Sequence, residues 1–128
     1  MFCEKILMKS HWIEHNGKRI FYADYSGFGD DTQQLKQEME PAIQLISEQP
    51  PNSVLVLANL EGLDSSITTM NLLREMLPLA NTAILKRAVL GISGSRRFLQ
   101  TTMLNVTGNT SVKLFTSREL ALDWLASE

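Results

Sequence analysis

Apolar and polar positions change period along this chain, and each change marks an element. Trp12 to His15 and Arg19 to Tyr25 alternate around Asn16-Gly17, a pair that accepts the positive φ angles of a two-residue hairpin turn. Such a turn sets the register: Glu14 faces Arg19 as a charge pair, Ile13 faces Ile20, and Trp12 faces Phe21. Ile13, Ile20 and Tyr22 share one face, while Trp12, Phe21 and Tyr25 share the other. The hairpin is therefore expected to be covered on both sides.

Helical spacing follows. Leu35, Met39, Ala42, Ile43 and Ile46 form one stripe, with Lys36, Glu38 and Glu40 away from it. Asp30 or Asp31 caps the start of this helix. Pro41 either kinks it or opens a second helix. Val54 to Leu57 reads as a strand buried on both faces. A second helix carries Ile67, Met70, Leu73 and Leu77 on one side and stops at Pro78, with another helical turn expected over Ala83 to Leu85. Ala88 to Ile92 is a second buried strand, and Ser93-Gly94-Ser95 turns into a third helix through Phe98, Thr102, Met103 and Val106, closed by Gly108. Val112 to Phe115 is the last strand. Thr116-Ser117-Arg118-Glu119 reads as a capping box opening a final helix, with Leu120, Trp124 and Leu125 on one side.

This alternation after an initial hairpin predicts a single α/β domain: an N-terminal antiparallel hairpin, then alternating helix and strand, in a mixed sheet with about four helices. Residues 1–10 read as an N-terminal extension and 11–128 as the domain.

Composition narrows the functional classes. The 128 residues are 44% hydrophobic, with a formal charge of 12 − 14 = −2, so the chain is neither disordered nor a basic nucleic-acid binder. One cysteine, Cys3, supports no internal disulfide. No stretch approaches the ~18 apolar residues of a membrane span. Glu4, Lys5 and Lys9 interrupt any secretory signal, so a cytoplasmic location is expected.

Few motifs carry chemistry. His11-Trp12-Ile13-Glu14-His15 fits a zinc-peptidase pattern, but on a strand its two histidines lie about 13 Å apart, too far to share an ion. No metal site or cofactor is expected. Gly91-Ile92-Ser93-Gly94-Ser95 lacks the second glycine of a nucleophile elbow. That turn leads into a helix N-terminus, where free backbone N–H groups favour an anion, so Gly91, Ser93, Gly94, Ser95 and Arg96 are candidate ligand or anion contacts. A solvated tight turn explains the same residues. Asp64, Ser65 and Ser66 likewise read as capping residues of the second helix.

Several segments together resemble a known family. Val54-Leu55-Val56-Leu57-Ala58-Asn59-Leu60-Glu61 followed by Asp64-Ser65-Ser66 is similar to the centre of a STAS domain, the fold of bacterial anti-sigma-factor antagonists. With Tyr22 to Gly27, Lys86 to Gly94 and Phe115 to Leu125, the chain resembles the SpoIIAA-like branch of that family. The resemblance implies a non-enzymatic regulatory module. Its Asp64, Ser66 and Thr69 would meet a regulatory protein partner, kinase or anti-sigma-like, and Ser66, or else Ser65, would be phosphorylated. Ile67 stands where those antagonists have glycine, and the loop before Asp64 is shorter. The branch is also similar in fold to CRAL-TRIO lipid-transfer domains, which implies an alternative: a carrier of a small apolar or lipid-like ligand between sheet and helices. The hairpin's outer edge offers a pairing surface for a second copy, so a homodimer is a further expectation.

Overall fold

The computed structural model describes residues 9–63, 66–91 and 111–127. The hairpin forms first, from β1 (His11–His15) and β2 (Lys18–Asp24). Its register pairs Glu14 with Arg19, Ile13 with Ile20 and Trp12 with Phe21, as the two-residue turn requires. Asn16 and Gly17 take φ of 52° and 79°. The expected charge pair is replaced by stacking: Arg19 lays its guanidinium 3.7 Å from the centre of the Trp12 ring.

β2 continues into α1 (Thr32–Ser47), β3 (Val54–Asn59), α2 (Ile67–Met76), a 3-10 segment (Leu77–Ala83), β4 (Ile84–Leu90), β5 (Ser111–Phe115) and α3 (Arg118–Ala126). The sheet is five-stranded in the order β1-β2-β3-β4-β5. β1 is antiparallel to β2 and every other neighbouring pair is parallel. Both faces are covered. Phe21, Ala23, Tyr25, Val56, Ala58 and Val89 meet Leu35, Met39, Ile43, Met70 and Leu73 on one side, while Ile20, Tyr22, Leu55, Leu57 and Ala88 meet Ala121 and Leu125 of α3 on the other. Every residue of β3 is buried, which explains its unbroken apolar run.

Several details depart from the pattern-based expectations. Pro41 neither ends α1 nor starts another helix; it lies inside one continuous helix capped by Asp31, which accepts from Gln34 N at 3.1 Å. Pro41 and Gln37, whose carbonyl loses its helical donor, are both exposed, so the break falls on the solvent side of the helix. Glu38 is buried, contrary to its expected outward place. Ile67 is 71% exposed, and the inward face of α2 is Thr69, Met70, Leu73 and Met76. The turn expected over Ala83 to Leu85 is instead the end of the 3-10 segment and the start of β4. There a register shift between Val54 and Leu55 pushes Leu85 out of the ladder, where it is exposed. The cap of α3 is Ser117 rather than Thr116, accepting from Leu120 N. That one-residue shift exposes Leu120 and buries Ala121 with Leu125. Three α-helices lie among the described residues; the helix expected through Phe98 to Val106 lies outside them.

Candidate functional site

The loops that leave the parallel strands at their carboxyl ends are tied to one another by backbone. Tyr25 N donates to Asn59 O and Gly27 N to Glu61 O, each at 2.9 Å, joining the end of β2 to the end of β3. Leu60 N donates to Leu90 O at 2.9 Å, joining β3 to β4. A single bridge pairs Gly29 with Leu63. Gly91 closes the set: its φ is +91°, and a Cβ there would lie 2.5 Å from Glu61 N. No other residue fits so near a backbone. In open α/β sheets ligands and partners gather at this edge.

The structure places parts of two sequence-predicted regions along this edge. Ser66 opens α2 just beyond β3, and Gly91 ends β4, the neighbouring strand, against the β3 loop. Ser66 Oγ accepts from Thr69 N at 3.2 Å and donates to Thr69 Oγ1 at 3.1 Å, which is an N-cap. Thr69 is fully buried. It therefore lies beneath the surface at this end of α2, its hydroxyl oxygen accepting from Ser66. Asp64, Ser65, Ser93, Gly94, Ser95 and Arg96 lie outside the described residues. Beyond Ser66 the exposed face of α2 runs through Ile67, Thr68 and Asn71. It borders a shallow groove of about 370 Å³ against Thr32, Gln33 and Lys36 of α1.

The histidines do not converge. His11 Nδ1 donates to Lys9 O at 2.8 Å, and His15 Nε2 meets Asp123 Oδ1 of α3 at 2.8 Å. Among the described residues no cluster of three metal-ligating side chains occurs.

Periodicity overlooked a set of buried polar groups. Glu38 accepts from Lys9 N at 3.1 Å and Ser10 N at 2.8 Å, pinning the chain as it enters β1. Ser10 Oγ accepts from Asp24 N at 2.9 Å, and Lys9 Nζ donates to Ser26 O. The signal was present: Glu38 falls three residues after Leu35 and four before Ala42, on the stripe itself. Arg87, on β4, is buried and reaches Asn81 Oδ1 at 3.3 Å and the Leu77 carbonyl at 3.5 Å. It thereby places a cation at the C-terminal end of α2, where the helix dipole welcomes one. Burial lowers its pKa to about 10, opposed by the nearby Tyr25. Tyr25 is buried as well, and loss of solvent pushes its hydroxyl well above the ordinary tyrosine range; Arg87 works against that shift and Glu38 adds to it. No local period marks Tyr25 and Arg87 as neighbours, because they come from strands separated by β3.

No helix among the described residues is long and apolar enough to cross a membrane. No family model matches the chain, and no curated protein matches it. A solved crystal structure does. It is an uncharacterized protein from the DUF3478 family, with a SpoIIAA-like fold, from Shewanella loihica PV-4. The two share 15% identity at a TM-score of 0.62, over 98% of this chain and 100% of that one. At that identity the likeness speaks for architecture alone, and the architecture agrees with the resemblance read from the sequence: this chain has a SpoIIAA-like fold.

Proposed function

We propose that this chain is a non-enzymatic, cytoplasmic regulatory module of STAS type, which binds a protein partner through the surface opened by Ser66 and continued along α2. The observation that supports it most is Ile67, which leaves 71% of its surface in water one residue beyond a capping serine. An isoleucine there contributes nothing to the core, and burying it against a partner would contribute about 1.5–3 kcal/mol. The groove beside it, between α1 and α2, extends the same contact face. Ser66 suits a switch in this reading. A phosphate on its Oγ would sit at the N-terminus of a helix, where the fold tolerates it, while presenting new negative charge to whatever covers Ile67.

The test is affinity capture from the source organism's lysate with four baits, read by quantitative mass spectrometry. Wild type and Ser66→Ala are expected to retain one regulatory protein in common, which Ile67→Lys and Ser66→Asp release. Stability serves as the control. Ser66→Ala loses its cap and about 1 kcal/mol in urea denaturation, whereas aspartate caps a helix as well as serine. Identical protein sets from all four baits would overturn the proposal. A lipid retained in native mass spectrometry of the purified chain would favour the apolar-ligand carrier instead.

A further inference from the structure

On the sheet face that α3 covers, a chain of hydrogen bonds ends at the Tyr22 hydroxyl. Glu61 N donates to Asn59 Oδ1 at 3.0 Å, and Asn59 Nδ2 donates to the Tyr22 hydroxyl oxygen at 3.0 Å. Because that oxygen receives a proton from Asn59, the hydroxyl's own proton must point elsewhere. It has no acceptor among the described residues, although Tyr22 is only 7% exposed. Buried hydroxyl protons ordinarily find one. Arg118 lies over the same ring, its guanidinium carbon 4.5 Å from the centroid, and makes no hydrogen bond or ion pair among the described residues. It is also the first residue of α3, where the helix dipole disfavours a cation. The His11 ring meets Tyr22 in a T-shaped contact at 5.5 Å and is itself fixed by its bond to Lys9 O. Asp24, the carboxylate two residues beyond Tyr22, is already held by Ser26 N at 3.1 Å and lies 3.7 Å from Lys9 Nζ.

We propose that His11, Tyr22 and Arg118 frame a binding site for a small oxyanion, a carboxylate or phosphate-ester group. An anion seated there would accept from the Tyr22 hydroxyl and pair with the Arg118 guanidinium in a charge-assisted bond. It would also relieve the opposition between Arg118 and its own helix. The site lies on the opposite face of the sheet from α2, so it stands or falls independently of the partner surface.

Titrating the full chain with inorganic phosphate and with acetate, against sodium chloride at matched ionic strength, tests the proposal by NMR. Saturable shifts confined to residues 11, 22 and 117–120 are expected with at least one oxyanion. Arg118→Gln, an exposed change that leaves the core alone, is expected to weaken binding about tenfold, as loss of one charge-assisted bond does. Tyr22→Phe keeps the ring and removes the hydroxyl, both the donor to the anion and the oxygen that accepts from Asn59 Nδ2. It should weaken binding severalfold while circular dichroism stays unchanged, with urea denaturation reporting the separate cost of the lost Asn59 bond. Sedimentation with phosphatidic acid vesicles, compared with phosphatidylcholine vesicles, distinguishes the sources. Pelleting with the former alone assigns a lipid headgroup, and binding of free phosphate without pelleting assigns a soluble ligand. Shifts no different from those in chloride together with no pelleting, or variants that bind like wild type, would overturn the site.

Discussion

Gly91 and Gly17 share a left-handed backbone, yet their surroundings differ. Gly17 sits at φ +79° with open space where a Cβ would go, whereas a Cβ on Gly91 would lie 2.5 Å from Glu61 N and 2.8 Å from Glu61 Cα. Alanine at Gly17 therefore meets only conformational strain, about 1 kcal/mol. Alanine at Gly91 adds a backbone collision that no rotamer relieves, and the loops of β3 and β4 must separate. Gly91→Ala is expected to lose about 3 kcal/mol or more, with urea midpoints of the two variants making the comparison. From the sequence, Gly91 stood out only as part of a glycine–serine turn. The tight approach that demands glycine comes from a loop thirty residues earlier in the chain. Glu38 teaches the converse. Its spacing marked it for the buried stripe, but its charge suggested solvent. The backbone amides of Lys9 and Ser10 reconcile the two by giving the carboxylate partners where water is excluded.

Elements whose two ends carry strong signals came out as their patterns predicted. The hairpin register follows from Asn16-Gly17 alone, since a two-residue turn leaves one pairing. β3 follows from a run too apolar to face water, and it continues two residues past the expected Val54 to Leu57, to Asn59. Helix faces were harder to read. In α2 the packed side turned out to include Thr69 and Met76 rather than Ile67, because Ser66, bonded to Thr69, sets the rotation of the first turn. In α3 a cap one residue later moved the buried stripe to Ala121 and Leu125. α1 offers a direct measurement. Pro41 removes one helical donor on an exposed face, so Pro41→Ala restores the bond to the Gln37 carbonyl. It should raise stability by roughly 1–3 kcal/mol, seen as a higher urea midpoint with an unchanged slope.

At the level of the whole molecule, the core between the sheet and its helices encloses charge as well as hydrocarbon. Tyr25 and Arg87 shape alkaline behaviour in opposite senses. The Tyr25 hydroxyl keeps its proton in the fold at pH values where the unfolded chain, near 10, has released it. Its contribution is thus fully present below pH 10 and is lost as pH rises further. Arg87, lowered to about 10, releases a proton earlier in the fold than in the unfolded chain, so the cost of burying its charge is relieved over the same alkaline range. Tyr25→Phe removes the first effect and leaves the second. Its urea midpoint should fall less steeply than wild type's above pH 10 and run parallel to it between pH 7 and 9; a slope identical to wild type's would refute the assignment to Tyr25. What the sequence determined by itself was local: the turn that pairs β1 with β2, the strands too apolar to be exposed, the alternation that yields an α/β layer structure, and the caps near Asp31, Ser66 and Ser117. Each depends on residues within a few positions of one another. Tertiary structure alone decided which distant groups meet: Gly91 against Glu61, Glu38 beneath Lys9 and Ser10, Arg87 under the end of α2, and Arg118 over Tyr22. Those contacts arise from the order and stagger of strands in the sheet, and no periodicity within a single segment encodes that order.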